Sequence, residues 1–144
     1  LVLTNDVSYN YSMKHRLRID SNIVGYSFLD CNNQCFYSKD LYGWTSVPIE
    51  FKSKDICFGF KDKKGSLLFH LDICLNIESS QMGALYFHSD HWCFVDTVSF
   101  EYKVVQPSID ESKKLKRFDF LYDHPKKFDN ITKMIGKNNE NITS

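Results

Sequence analysis

A chain of 144 residues with 42% apolar and 25% charged residues has the size and make-up of one globular domain. Lys/Arg and Asp/Glu are equal at 18 each, so no net charge draws the chain toward nucleic acid or an anionic membrane. No apolar run reaches the roughly 18 residues that a membrane-spanning helix needs.

Aromatic residues are abundant at 15%, with 12 Phe and 8 Tyr, and long helical periodicities are scarce. That bias favours strands, because aromatic side chains fit a pleated, half-buried surface. Residues 1–13 read as an edge strand or arm. Lys14 to Asp20 alternates His15, Leu17 and Ile19 against Lys14, Arg16 and Arg18, which predicts a strand whose basic face is wet. Ile23 to Leu29 is a second apolar run, and the Asn-rich Asp30 to Gln34 is a turn. Cys35-Phe36-Tyr37 is a short strand. Lys39 to Thr45 is a loop with Tyr42 and Trp44, and Val47 to Phe51 alternates around Pro48, as an edge would.

Asp55 to Ile77 carries the strongest signal. Two strand-like runs meet at Asp62-Lys63-Lys64-Gly65, a polar, Gly-ended hairpin loop. Pairing through that loop opposes Phe60 with Leu67, Phe58 with Phe69, and Ile56 with Leu71. It leaves Cys57, Gly59, Lys61, Leu68, His70, Asp72 and Cys74 on a mixed second face, with Cys57 opposite His70. Ala84 to His88 and Trp92 to Val95 follow as strands around a tight turn at Ser89 to His91. Thr97 to Val105 completes the set, with Val98, Phe100, Tyr102 and Val104 on its buried side.

The tail differs. Residues 1–110 hold 10 Lys/Arg against 13 Asp/Glu, and residues 111–144 hold 8 against 5. Leu115, Phe118 and Leu121 sit at helical spacings, with Ser108 or Asp110 as cap and Pro125 as breaker. The expected architecture is an all-β antiparallel sandwich or jelly-roll of seven to nine strands over residues 1–107. Residues 108–144 form a helical or irregular, basic extension packed on the same domain. The basic residues Lys113, Lys114, Lys116, Arg117, Lys126 and Lys127 read as a solvated face.

Motifs for chemistry are weak. His88-Ser89-Asp90-His91-Trp92-Cys93 has metal-ligating residue types but not the spacing of a finger, ribbon or zincin, so no metal is expected. No phosphate-binding loop and no cofactor motif occurs. Cys57, His70 and Asp72 share a predicted face, the minimum for a cysteine nucleophile, but no oxyanion-forming loop accompanies them. The five cysteines leave one thiol unpaired in any set of bridges; Cys31, Cys35, Cys57 and Cys74 are the disulfide candidates. Sequons at Asn10, Asn130 and Asn141 add to a slight preference for a secreted or cell-surface glycoprotein.

Loop aromatics are the remaining lead. Trp44, Tyr42, Tyr37 and Trp92 are the candidate binding residues, since exposed Trp and Tyr rings anchor protein partners or stack on sugars. The reading that follows is a non-enzymatic binding or assembly domain. It engages a protein partner or a second copy of itself through loop aromatics or an edge strand. Carbohydrate or lipid-headgroup binding is the alternative, and a cysteine-dependent enzyme is third.

Overall fold

The computed structural model describes the backbone of residues 14–143 and the side chains of residues 14–136. Two five-stranded antiparallel sheets account for most of it. The first contains β1 (Lys14–Ile19), β2 (Asn22–Leu29), β3 (Cys35–Ser38), β4 (Ser53–Lys61) and β5 (Leu67–Phe69), in the order β3-β2-β1-β4-β5. The second contains β6 (Asp72–Asn76), β7 (Gln81–His88), β8 (His91–Asp96), β9 (Tyr102–Val105) and β10 (Leu115–Phe120), in the order β10-β6-β7-β8-β9. In each sheet a meander is followed by a strand that returns beside its first member. Helix α1 (Ile109–Lys113) lies between β9 and β10; a 3-10 turn (Leu121–Asp123) then leads into α2 (Pro125–Thr143).

Three apolar clusters hold these layers. Phe58, Leu68, Cys74, Leu85, Trp92, Phe94, Val105 and Leu115 pack between the sheets. The other face of the second sheet presents Ile73, Ala84, Tyr86, Cys93 and Val95, which α2 covers with Ile131 and Ile135. A smaller group, Cys57, Leu67 and Phe69, sits beneath Tyr26 and Leu41. The amphipathic spacing of Ile131 and Ile135 thus buries one side of α2 and leaves its Lys-rich side in water.

The predicted hairpin is present, with one correction. β4 and β5 pair through a turn at residues 62–66, but Cys57 lies opposite Phe69 and Lys61 opposite Leu67. The register is irregular between them, and Gly59 has φ of 98°, a left-handed conformation open to glycine. Between these pairs three β4 residues, Phe58, Gly59 and Phe60, face one β5 residue, Leu68, so the register moves by two residues across the bulge. Phe58 therefore packs with Leu68, and Cys57 with Leu67 and Phe69. The second run is also not one strand. His70 N–H still donates to Ile56 of the first sheet (2.9 Å), while Leu71 N–H donates to Leu85 of the second (2.7 Å). Leu71 has φ of 79°, and there the chain crosses from one sheet to the other.

Three other expectations are corrected. Thr97 to Val105 is a turn followed by a short strand: Asp96 accepts from the N–H groups of Val98 and Ser99, and Phe100 has φ of 62°. Residues 115–120 form a tenth strand, β10, rather than helix, because the edge of β6 supplies it with a ladder partner. Ser108 caps only the five residues of α1. Val47 to Phe51 forms no strand. The expected turn between β7 and β8 is there, with Ser89 and Asp90 both left-handed (51° and 65°), as a two-residue hairpin turn of matching twist requires.

Candidate functional site

The basic face of β1 is buried rather than wet. Arg16 is 1% exposed and Arg18 7%, and they meet Asp55 from β4 and Asp72 from β6. Arg16 Nε donates to Asp55 Oδ2 (2.9 Å), Nη1 to Asp72 Oδ1, and Nη2 to the His70 carbonyl (2.9 Å). Arg18 makes a two-pronged contact with Asp55, Nε to Oδ2 at 2.8 Å and Nη2 to Oδ1 at 3.0 Å, and Nη1 reaches the Asp20 carbonyl. Asp72 also accepts from Phe69 N–H (2.8 Å), and Arg117 Nη1 stands 3.8 Å from it. Rings of Phe69, Phe120 and Tyr122 lie about the Arg16 guanidinium at 5.1 to 5.3 Å, and Arg18 sits 4.2 Å from the Tyr122 centroid.

Burial alone disfavours the charge on Arg16, but Asp72 and Asp55 overcome it and hold the guanidinium above its ordinary value. Burial pushes the Asp72 carboxyl up, with Arg16 and Arg117 pulling against it. Because Asp55 belongs to the first sheet and Asp72 to the second, Arg16 is a bolt between them. Its fixed, planar fork suits such a site better than a lysine would. The cluster is saturated with internal partners, so its chemistry is structural.

The predicted face of Cys57, His70 and Asp72 does not assemble. Cys57 is 2% exposed, its sulfur accepts from Gly59 N–H, and burial pushes its thiol up to about 12. His70 Nδ1 accepts from Phe87 N–H (2.9 Å), and burial lowers the imidazole to about 4. Asp72 is committed to Arg16 and Phe69. Of the disulfide candidates, Cys31 and Cys35 are exposed near the β2–β3 turn, and Cys57 and Cys74 are buried in different clusters. Among the described residues no group of three His, Cys, Asp or Glu side chains converges as a metal site would need. None of the described helices is long and apolar enough to cross a membrane.

The candidate binding aromatics divide. Trp92 is 7% exposed and packs edge-on against Phe58 at 4.9 Å, so it belongs to the core. The other three share one end of the first sheet. Tyr37 lies on β3, where its backbone exchanges hydrogen bonds with Thr45 at 2.8 and 2.9 Å. Trp44 is half-buried, T-shaped against Phe28 at 5.3 Å, with the Lys14 ammonium 5.7 Å from its centroid. Tyr42 is 90% exposed.

The loop behind Tyr42 is tightly held. Asp40 Oδ1 accepts from the N–H groups of Tyr42 (2.9 Å) and Gly43 (3.2 Å), which holds the carboxyl below the usual carboxylate range. Ser38 Oγ accepts from Asp40 and Leu41 N–H. Leu41 is left-handed at 75°, and its side chain packs toward the Cys57 cluster. The turn thus inserts Leu41 and points Tyr42 outward. Val47, 68% exposed, follows in the same loop.

Of the sequons, Asn130 is exposed on α2, with Ile131 fully buried beside it and the Thr132 hydroxyl 3.3 Å from Tyr86 Oη. Asn10 and the side chain of Asn141 lie outside the described residues. No protein-family model matches the chain, and a search of curated proteins returns no match.

Proposed function

We propose that this domain is a non-enzymatic binding module that engages a protein partner through the Tyr42 loop. The observation that carries the reading is the pairing of a 90% exposed tyrosine with a loop fixed by Asp40 and Ser38. Tyr combines a large apolar face with a hydroxyl and few rotatable bonds, which is why it recurs at interface hot spots. A loop ordered before binding loses little entropy on association. Trp44 and Tyr37 act from behind: Trp44 braces the loop on Phe28, and Tyr37 ties it to β3 through Thr45.

The sequons and the exposure of Asn130 support a secreted or cell-surface setting. Because Ile131 is core, a glycan at Asn130 would be attached before α2 docks.

The test uses protein secreted from a eukaryotic host, checked by intact mass before and after enzymatic deglycosylation; no mass loss removes the glycoprotein reading. Affinity capture from extracellular fluid compares wild type with Tyr42→Ala and Asp40→Ala. The expected outcome is a specific protein lost with Tyr42→Ala, at least tenfold in affinity, while the far-UV spectrum and melting temperature are unchanged. Capture indifferent to Tyr42 refutes the reading, and saturable glycan-array binding lost with Trp44→Ala replaces it with the carbohydrate alternative.

A further inference from the structure

The four outer strand edges of the two sheets differ in how they are covered. At β3, Thr45 bridges Tyr37. At β5, Arg117 Nη1 donates to the Leu67 carbonyl and Asp72 accepts from Phe69 N–H. At β10, Lys63 N–H donates to the Leu115 carbonyl (2.9 Å), and Asp62 takes Arg117 N–H (2.8 Å). Among the described residues, nothing of this kind covers β9.

The direction of its free groups follows from the ladder. Asp96 N–H donates to the Glu101 carbonyl (2.8 Å), so Glu101 faces β8. Alternation along an antiparallel strand then turns Lys103 and Val105 toward β8, and the backbone N–H and C=O of Tyr102 and Val104 outward. The side chains of these two residues are 37% and 56% exposed. Beside them lies an open depression of about 670 Å³ lined by Ser99, Phe100, Glu101, Tyr102 and Met134. Lys103, on the opposite face, is exposed and makes no ion pair among the described residues.

The geometry points to β9 as a strand-addition site for an extended segment of another protein with the pattern apolar–acidic–apolar. The acidic side chain lies opposite Lys103. The apolar side chains flanking it fall on the Tyr102 and Val104 side, where one enters the depression. Backbone pairing with Tyr102 and Val104 supplies the attachment, and the pocket and charge supply the choice of sequence. A second copy of this chain is the wrong occupant. Two-fold antiparallel pairing of residues 102 and 104 centres on Lys103 and sets two ammonium groups face to face, which is unfavourable. This surface is separate from the Tyr42 loop.

The test titrates a fluorescent peptide of about eight residues, capped at both ends, with Val-Glu-Val at its centre and Thr and Ser around it. Binding to the full chain is read by anisotropy and by amide shifts. The expected result is saturable binding with the largest shifts at Tyr102 and Val104. N-methylation of the two valines abolishes it, Val-Lys-Val binds roughly fivefold more weakly, and Lys103→Glu reverses that preference. Tyr42→Ala leaves all of this unchanged, so failure here and failure of the loop reading are distinguishable. No saturable binding, binding indifferent to N-methylation, an unreversed preference, or dimerisation through β9 in sedimentation would each overturn the proposal.

Discussion

Arg16 shows how far a single residue can depart from its sequence pattern. Lys14, Arg16 and Arg18 alternate with apolar residues, and the ordinary expectation for such a face is water. The counter-signal was present in Asp55, a carboxylate third in β4, and in Asp72, which opens β6. What no local pattern reveals is that strands 39 and 56 residues away bring them to the same guanidinium. Removing it leaves the buried Asp72 carboxylate without its main partner and Asp55 with Arg18 alone. Arg16→Met is therefore expected to cost about 3–5 kcal/mol in urea denaturation. Pairing it with Asp72→Leu should recover part of that loss, because the second change removes the stranded charge. Strictly additive losses would show that Arg16 and Asp72 are not coupled.

At the level of elements, turn chemistry was the most legible part. The Ser89-Asp90 turn, the Asp30 turn and the loop after Lys61 are all where Asp, Asn, Ser and Gly place them. The strand register was less so. The β4 pattern Ile56, Phe58, Phe60 reads as one face, but a single bulge at Gly59 transfers the pairing to the neighbouring set. β10 was hidden because Leu115, Phe118 and Leu121 fit a helix as well as a bulged strand, and only the open edge of β6 decides between them.

Gly25 of β2 offers a test of how the Tyr42 loop is held. A methyl group there would stand 2.7 Å from Ile49 Cδ1 and 2.9 Å from the Ser38 carbonyl. Ile49 follows the aromatic loop, and Ser38 begins it. Gly25→Ala is expected to destabilise the protein by about 1–3 kcal/mol. It should also raise amide exchange across residues 39–50 more than across β7 and β8. Equal change in both regions would mean that the loop is not anchored at this point.

For the molecule as a whole, the two-sheet architecture was readable from composition and alternation, whereas the division of strands between sheets was not. That division turns on residues 70 and 71, where the chain crosses. His70 sits at this junction, neutral, with Nδ1 accepting from Phe87 of the second sheet. Its folded-state value of about 4 lies below the ordinary 6.5. A depressed histidine contributes stability that is complete above its unfolded value and is lost as the pH falls through the folded one. Between pH 6.5 and 4 the unfolded chain takes up the proton first, and about 3 kcal/mol is at stake. The difference in unfolding free energy between wild type and His70→Gln, whose carbonyl can still accept from Phe87, should shrink or reverse across that window. A difference independent of pH would mean that His70 titrates normally.

Among the described residues every strand pairing lies on one side of residue 70 or the other: β1 to β5 before it, β6 to β10 after it. During synthesis the first sheet can therefore complete its ladder before any strand of the second has emerged. Loop closures within each half span far fewer residues than closures across the whole chain, and shorter closures are faster. The contact from Arg16 to Asp72 joins the halves and has nothing to close on until β6 exists. Assembly then has a natural sequence in time: two ladders first, the charged lock between them afterwards, and α2, made after both sheets, sealing the second.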